Sequence, residues 1–331
     1  MKLELRNIGM IEEADVSIDG LTVIAGENDT GKSTVGKALF LSLASHHIHG
    51  HPLKYAQMVE LLFGSFITYS DGRITLSEDN KKFEAEFSNN NQAPFMLNPE
   101  FSKYDVSMIE TPIIWNFFRF FNAIEKVKTE ASFFDQDYDI PYPYLTWDIY
   151  KKLSLPKKEE NLKDKKELLL ELEKIINGKF TKDDFGDFLF VRDEKKIPII
   201  NTATGIKQFG ILQKLIENNY IHEKSVIILD EPEVHLHPKW QLKMAQLIVA
   251  LVKNGVKILV NSHSPYMIEA LQRYAEQEKI RSDFYLAEHG KIGKIENSNS
   301  QTLSKIFEKL SEPFEQFEEM DSQKMENLIN G

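Results

Sequence analysis

The sequence reads as an α/β protein with a β-rich N-terminal lobe, a mainly parallel sheet and a helical insertion. Two patterns lead to that reading. Short apolar runs at Leu21–Ala25, Val226–Leu229 and Lys257–Val260 are each followed by a polar loop and then by apolar residues at helical spacing. Strands without alternation, interleaved with helices, suit a parallel sheet covered on both faces. The second pattern is alternation over Lys2–Ile8, over Ile11–Ile18 and from Phe66 to about Phe87, where "SDG" reads as a turn. That period-two signal marks strands with one face covered.

The elements follow in order. After Leu21–Ala25 comes the glycine-bracketed loop "GENDTGKST", then a helix with Val35, Leu39 and Leu43 on its apolar face. The alternating β-meander ends at the polar break "SNNNQAPF". From Phe95 to Asp184 the character changes to an aromatic run "IIWNFFRFFNAI", a loop "DQDYDIPYPYLTWD" and an amphipathic helix bearing Leu162, Leu169, Leu172 and Ile176. This gives three segments: 1–94 and 185–331 as the two halves of one α/β domain, and 95–184 as a mainly helical insertion. Strand and helix alternate again from Phe188, and Pro238 suits the first turn of a helix. The C-terminal "SEPFEQFEEMDSQKMENLING" is an acidic surface helix or tail.

Composition narrows the chemistry. The 331 residues, 42% hydrophobic and 27% charged, fit one large domain carrying an insertion. The chain has no cysteine, which excludes a disulfide framework, a thiolate zinc site and a cysteine nucleophile. "MKLELRNIG" is not a signal peptide, and no run reaches the roughly 20 apolar residues of a membrane span, so a cytoplasmic protein is expected. A net charge of −11 disfavours nucleic acid through the global field. The lysines of "KKLSLPKKEENLKDKKELL" alternate with acids and read as a solvated helix face.

Three motifs bear chemistry. In Gly26-Glu27-Asn28-Asp29-Thr30-Gly31-Lys32-Ser33-Thr34, two glycines let the backbone turn its N–H groups toward phosphate oxygens. Lys32 supplies charge for the β- and γ-phosphates of a nucleotide, and Ser33 a hydroxyl for Mg²⁺. The following helix directs its positive end at the anion. In "SVIILDEPEVHLHP" a buried strand delivers Asp230 to its C-terminal end, where ligands sit in open α/β sheets. Asp230 suits Mg²⁺, and Glu231 suits a general base that orients water. In "VNSHSPYMI" another strand end presents His263, placed to hydrogen-bond the γ-phosphate or the water if the two strands are neighbours.

Taken together and in this order, Gly-x4-Gly-Lys-Ser, Asp-Glu-Pro-Glu-x-His-Leu-His-Pro and Ser-His-Ser-Pro resemble the ABC-type ATPases, more narrowly their SMC/RecF/OLD-like branch. The resemblance covers both ends of the chain and leaves out the insertion. It implies a P-loop fold of ABC ATPase type, ATP and Mg²⁺ as cofactors, and a head-to-tail homodimer that sandwiches two ATP molecules. "TATGIKQ" then takes the place of the family signature, departing from Leu-Ser-Gly-Gly-Gln. By resemblance, Thr204 and Gly205 at that helix start bind the γ-phosphate held by the other subunit, with Lys207 adding charge. Read from the residues alone, Thr202 or Thr204 simply caps the helix. Glu233, His235 and His237 would face the dimer partner, Glu110 is the candidate for the loop that usually carries a glutamine, and adenine contacts are placed near Arg6–Ile8.

The resemblance implies an ATPase that gates an effector, a nuclease or toxin, in anti-phage defence or DNA repair. An ATP-dependent binding switch with negligible turnover and a DNA-associated clamp are the alternatives. A zinc hook lacks its Cys-x-x-Cys. A Toprim domain lacks both Asp-x-Asp and chain length after Ser264. His46–His51, "HHIHGH", suits the negative end of the phosphate-loop helix rather than a metal. The aromatic run reads as a core helix or as a partner surface.

Overall fold

The computed structural model describes residues 1–45, 52–64, 67, 71–88, 95–96, 101, 103–132, 143–157, 164–184 and 186–330. His46–His51, most of "SNNNQAPF" and the start of the tyrosine- and proline-rich loop lie outside the described residues. The N-terminal elements are β1 (Lys2–Ile8), β2 (Ile11–Ser17), β3 (Leu21–Ala25), α1 (Lys32–Ala44), α2 (Pro52–Phe63), β4 (Gly72–Glu78) and β5 (Lys81–Phe87). Then come β6 (Phe95–Met96), β7 (Asp105–Ile109), α3 (Ile114–Ser132), α4 (Tyr144–Ser154), α5 (Lys165–Ile176), β8 (Lys179–Lys182), β9 (Phe188–Arg192) and β10 (Lys195–Pro198). The rest is α6 (Thr204–Glu217), β11 (Ser225–Asp230), α7 (Pro238–Lys253), β12 (Lys257–Ser262), α8 (Pro265–Gln277), β13 (Ser282–Glu288), β14 (Lys291–Gly293) and α9 (Asn299–Asn330).

Among the described residues, eleven strands form one sheet in the order β6-β5-β4-β1-β2-β14-β13-β3-β12-β11-β7. From β13 to β7 its neighbours run parallel, and β1, β2, β4 and β5 pair antiparallel. The parallel strands are buried on both faces, as their unbroken apolar runs require. Val23, Ile227 and Leu229 join the core beneath α3 and α5–α8, whereas Ile24, Val226 and Ile228 join the core beneath α1 and α2. Gly36 lets α1 lie close to the sheet, since a Cβ there would stand 3.0 Å from Ile228.

One expectation needs correction, and the segment 95–184, expected as a mainly helical insertion, also gives a strand to the main sheet. The β4–β5 turn falls at Asp79, which takes a left-handed φ of 53°, and not at "SDG", whose Gly72 opens β4. Asp tolerates that conformation where most residues do not. The strand that 95–184 gives is β7, which pairs with β11, Val106 opposite Val226, and closes the edge of the main sheet. The strands β8–β10 form a separate antiparallel sheet.

The helical segment has an aromatic core. On α3, Trp115, Phe118 and Phe121 are buried, and Phe117 and Phe120 on the opposite side are exposed. Both readings of the aromatic run therefore have a face. Trp115 stacks on Phe180 at 6.1 Å and meets Phe188 edge-on at 4.9 Å, and its indole N–H donates to Lys207 O at 2.9 Å. On α5 the buried stripe is Leu168, Leu172 and Ile176, with the expected Leu169 half-buried against the same core and Leu162 outside the described residues.

A polar cluster fastens β7 to the loop before β11. Asp105 meets His222 Nε2 at 2.7 Å and accepts from Lys157 Nζ at 2.6 Å. Burial alone would raise the Asp105 carboxyl, but the His222 and Lys157 contacts outweigh it and hold the pKa well below the usual range. The folded state therefore binds this proton more weakly than the unfolded chain, whose value is about 3.9. The stabilisation is fully present above about pH 4 and drains away as pH falls further. Asp105→Asn is expected to cost about 2 kcal/mol at neutral pH. It should also flatten the acid limb of stability measured by denaturant titration between about pH 2 and 5. An unchanged acid limb would remove Asp105 from the account.

Among the described residues, no helix is long and apolar enough to cross a membrane.

Candidate nucleotide-binding site

The sheet order assembles the site. β12 lies between β3 and β11, so the C-terminal ends of all three strands stand side by side, with Ser262 opposite Ala25 and Asn261 opposite Asp230. The condition set for His263 is thereby met.

The loop after β3 needs its glycines for steric reasons. A Cβ on Gly26 would lie 2.4 Å from Ala287 O. Gly31 has φ 86° and a Cβ there would lie 2.7 Å from Ile11 Cγ1. No other residue meets both demands at these two places without strain. Glu27, Asn28 and Asp29 are exposed, while Thr30, Ser33 and Thr34 are half-buried. Thr30 Oγ1 donates to Glu27 O at 2.9 Å and tightens the turn. Gly31 caps α1 without any side-chain bond. The first amides of a helix have no intrahelical partner, so they point at the loop's interior.

Lys32 is 5% exposed. Its ammonium donates to Gly26 O at 3.0 Å and to Glu27 O at 2.5 Å. Burial lowers its pKa, and Glu231, Asp230 and Glu233 pull the other way. The cation is thus parked on its own loop within reach of three carboxylates.

At the end of β11, Asp230 Oδ1 accepts from Asn261 Nδ2 at 2.7 Å, and the same amide donates to Lys32 O at 3.0 Å. Asn261 therefore ties the acidic strand end to the first residue of α1. Sequence reading passed over it; the signal was a polar residue closing the apolar run "KILVNS". Glu231 has φ 49°, in the left-handed region, and its N–H donates to Asn261 O at 2.9 Å. Strain of this kind at a non-glycine residue clusters at functional sites. His263 Nδ1 stands 3.2 Å from Glu231 Oε1.

Glu233 does not face outward as the resemblance implied. It is 4% exposed, and its Oε1 accepts from Ser262 Oγ at 2.7 Å, His263 N at 2.9 Å and Ser264 N at 3.2 Å. Ser264 in turn caps α8 and donates to Gln241 Oε1 at 2.6 Å. His235 and His237 are exposed, and His237 also caps α7.

Ser33, Glu110, Gln208, Asp230, Glu231 and His235 line one cleft of about 330 Å³. Burial pushes the Glu110 carboxyl up, Lys37 opposes this, and Asp230 adds to it. Glu110 follows β7, whose place at the sheet edge puts it beside Asp230.

The start of α6 lies apart from this lining. Its cap is Ala203 with no side-chain bond, so neither Thr202 nor Thr204 caps it in the ordinary way. Thr204 is exposed. Gly205 permits close packing on the loop after Pro232, since a Cβ there would lie 2.6 Å from Leu236 Cδ2. Lys207 departs from expectation: it is 5% exposed, and its ammonium donates to Asn116 Oδ1 at 3.1 Å and Ile200 O at 3.2 Å. Burial lowers its pKa. A lysine three residues into a helix faces the side its register dictates, here the insertion. Arg6 is engaged by Ala14 O at 3.3 Å and Glu13 at 3.0 Å, within the β1–β2 pair.

A family model for the AAA ATPase domain matches residues 142–268, from α4 into α8. The Septu protein PtuA of Bacillus thuringiensis is 23% identical over 297 residues, covering 81% of this chain and 72% of that protein. An SMC head bound to the C-winged helix domain of ScpA superposes with a TM-score of 0.52 at 13% identity, covering 88% of this chain and 95% of that one. An Smc head domain with an extended coiled coil, bound to the C-terminal domain of ScpA derived from Pyrococcus furiosus, gives 0.50 at 12% identity, covering 88% and 94%. These two establish likeness of fold. A phosphate loop, an acidic strand end and a sheet like that of the SMC heads thus stand in one molecule, which over residues 142–268 is similar to the AAA ATPase domain.

Proposed function

We propose that the chain binds Mg-ATP at Gly26–Thr34 and hydrolyses it as a head-to-tail homodimer. The observation that supports this most is the shared cleft, in which Ser33, Asp230 and Glu231 meet beside a buried Lys32. When a triphosphate enters, Lys32 exchanges the Gly26 and Glu27 carbonyls for β- and γ-phosphate oxygens, and the uncapped amides of α1 receive the same anion. Mg²⁺, when bound, neutralises charge on those oxygens. Ser33 Oγ and Asp230 would hold it. Both are hard oxygen donors, which suits the ion. Among the described residues no three His, Asp or Glu side chains form a metal cluster by themselves. A partial protein shell completed by phosphate and water is the arrangement Mg²⁺ prefers.

Glu231 orients a water against the γ-phosphorus and takes its proton. The new bond joins water oxygen to phosphorus as the bond to the β-bridging oxygen breaks, leaving ADP and phosphate. His263, 3.2 Å from Glu231, holds that carboxylate in place. The Thr204–Gly205 helix start of a second copy meets the same γ-phosphate from across the dimer. Closure then moves the insertion and gates an effector protein. The likeness to a Septu protein favours anti-phage defence over DNA repair as the setting.

The chain lacks cysteine, so Asp29→Cys and Thr204→Cys form an unambiguous crosslinking pair. In a Glu231→Gln background, hydrolysis is expected to fall at least about 100-fold. ATP should then drive an intermolecular disulfide that ADP does not. A chain that stays monomeric at saturating ATP, or crosslinks equally without it, refutes the paired mechanism.

A further inference from the structure

On the ATPase reading above, we infer that Gln208 is a positioning residue for the attacking water, acting from α6 within its own protomer. Three buried glutamines allow a direct comparison. Gln213 accepts from Phe180 N at 3.0 Å and donates to Phe180 O at 3.1 Å. Gln241 donates to Leu236 O at 3.1 Å and accepts from Ser264 Oγ at 2.6 Å. Gln208 is 2% exposed, yet its Oε1 has no hydrogen-bond partner. It lines the cleft that also holds Ser33, Asp230 and Glu231.

A buried amide oxygen without a partner destabilises a fold. Such a group persists where a ligand completes it, and the chemistry of the cleft selects that ligand. The unpartnered atom is an acceptor, so it calls for a donor. A phosphate oxygen carries no hydrogen at neutral pH and does not satisfy it. Of the other polar walls, Glu110, Asp230 and Glu231 are acceptors, and Ser33, Thr111 and His235, which carry donors, make no hydrogen bond to this oxygen. Water fits: it gives one hydrogen to Gln208 Oε1 and the other to Glu231, which leaves a lone pair for phosphorus. As water oxygen bonds to the γ-phosphorus, the bond to the β-bridging oxygen breaks and its electron pair leaves with ADP. The proton passes to Glu231, and Gln208 exchanges none.

This gives α6 two contacts with the nucleotide cycle. Gln208 reads the γ-phosphate end of its own cleft, and one turn earlier the Thr204–Gly205 start is presented to the other copy.

Gln208→Met, close in shape but without the acceptor, tests the idea in the full chain. The melting temperature should equal or exceed that of the native chain, because an unsatisfied polar atom is removed. Binding of ATPγS with Mg²⁺ should stay within twofold. The kcat should fall about 100-fold with KM unchanged, and trapping of ADP with vanadate should weaken at least tenfold. Gln208→Leu should behave alike. A kcat within threefold of the native value in either folded variant overturns the inference. A melting temperature lowered by several degrees in both, or loss of the fold in both, assigns the amide to structure and also overturns it. The underlying reading fails differently: the native chain would then bind ATPγS no better than Lys32→Met does.

Discussion

Lys32→Met is expected to weaken ATP binding at least about 100-fold while leaving the chain folded. The ammonium makes two hydrogen bonds that a triphosphate would inherit, and charge-assisted bonds contribute about 1.5–3 kcal/mol each. Losing both corresponds to about 3–6 kcal/mol, or two to four powers of ten in affinity. Stability should change little, because two effects oppose. The variant no longer buries a cation, whose burial already lowers the Lys32 pKa, but it leaves the Gly26 and Glu27 carbonyls without that donor. Titration calorimetry with ATP and a melting curve separate affinity from folding. Equal affinity in the two proteins would show that the loop does not hold the phosphates.

Glu233→Ala is expected to give the largest loss of stability among the site variants. One oxygen collects three donors, Ser262 Oγ, His263 N and Ser264 N, at a residue that is 4% exposed. Removing it strands Ser262 Oγ and His263 N in a buried place, while Ser264 N keeps Ser262 Oγ at 3.1 Å, at about 3–5 kcal/mol in total. The melting temperature should drop by about 5–10 °C on the scaling for large domains. Hydrolysis should fall too, since the loop that carries His263 loses its anchor. Glu233→Gln keeps an acceptor at the same place and should recover most of the stability. If the Ala variant melts within 1 °C of the native chain, as a surface substitution would on the same scaling, the clamp is not what fixes the loop.

Much of this was legible in the residues, and the rest was not, for identifiable reasons. β1 and β3 fall at Lys2–Ile8 and Leu21–Ala25 as the alternation and the apolar run dictate. Pro238 opens α7 as its fixed φ favours. The phosphate loop, Asp230, Glu231 and His263 were readable because each lies directly after an apolar strand, and strand ends in such sheets gather at one edge. β7 was hidden because "DVSMI" is short and follows an aromatic, polar stretch; only its ladder with β11 reveals it. Asn261, Gln208 and the inward role of Glu233 were hidden for a different reason. Their partners lie on other strands and loops, so no local pattern records them. The inward turn of Lys207 toward Asn116 was not legible because residue type alone does not say which side of a helix a lysine takes.

The indole of Trp115 is fastened to the backbone of α6 at Lys207, the residue just before Gln208. Any tilt of that helix therefore carries the aromatic wedge of α3 with it, and with the wedge go Phe117 and Phe120 on the outer surface. One hydrogen bond thus links the helix that lines the cleft to the helix whose outer side carries two bare phenylalanine rings, with no loop in between.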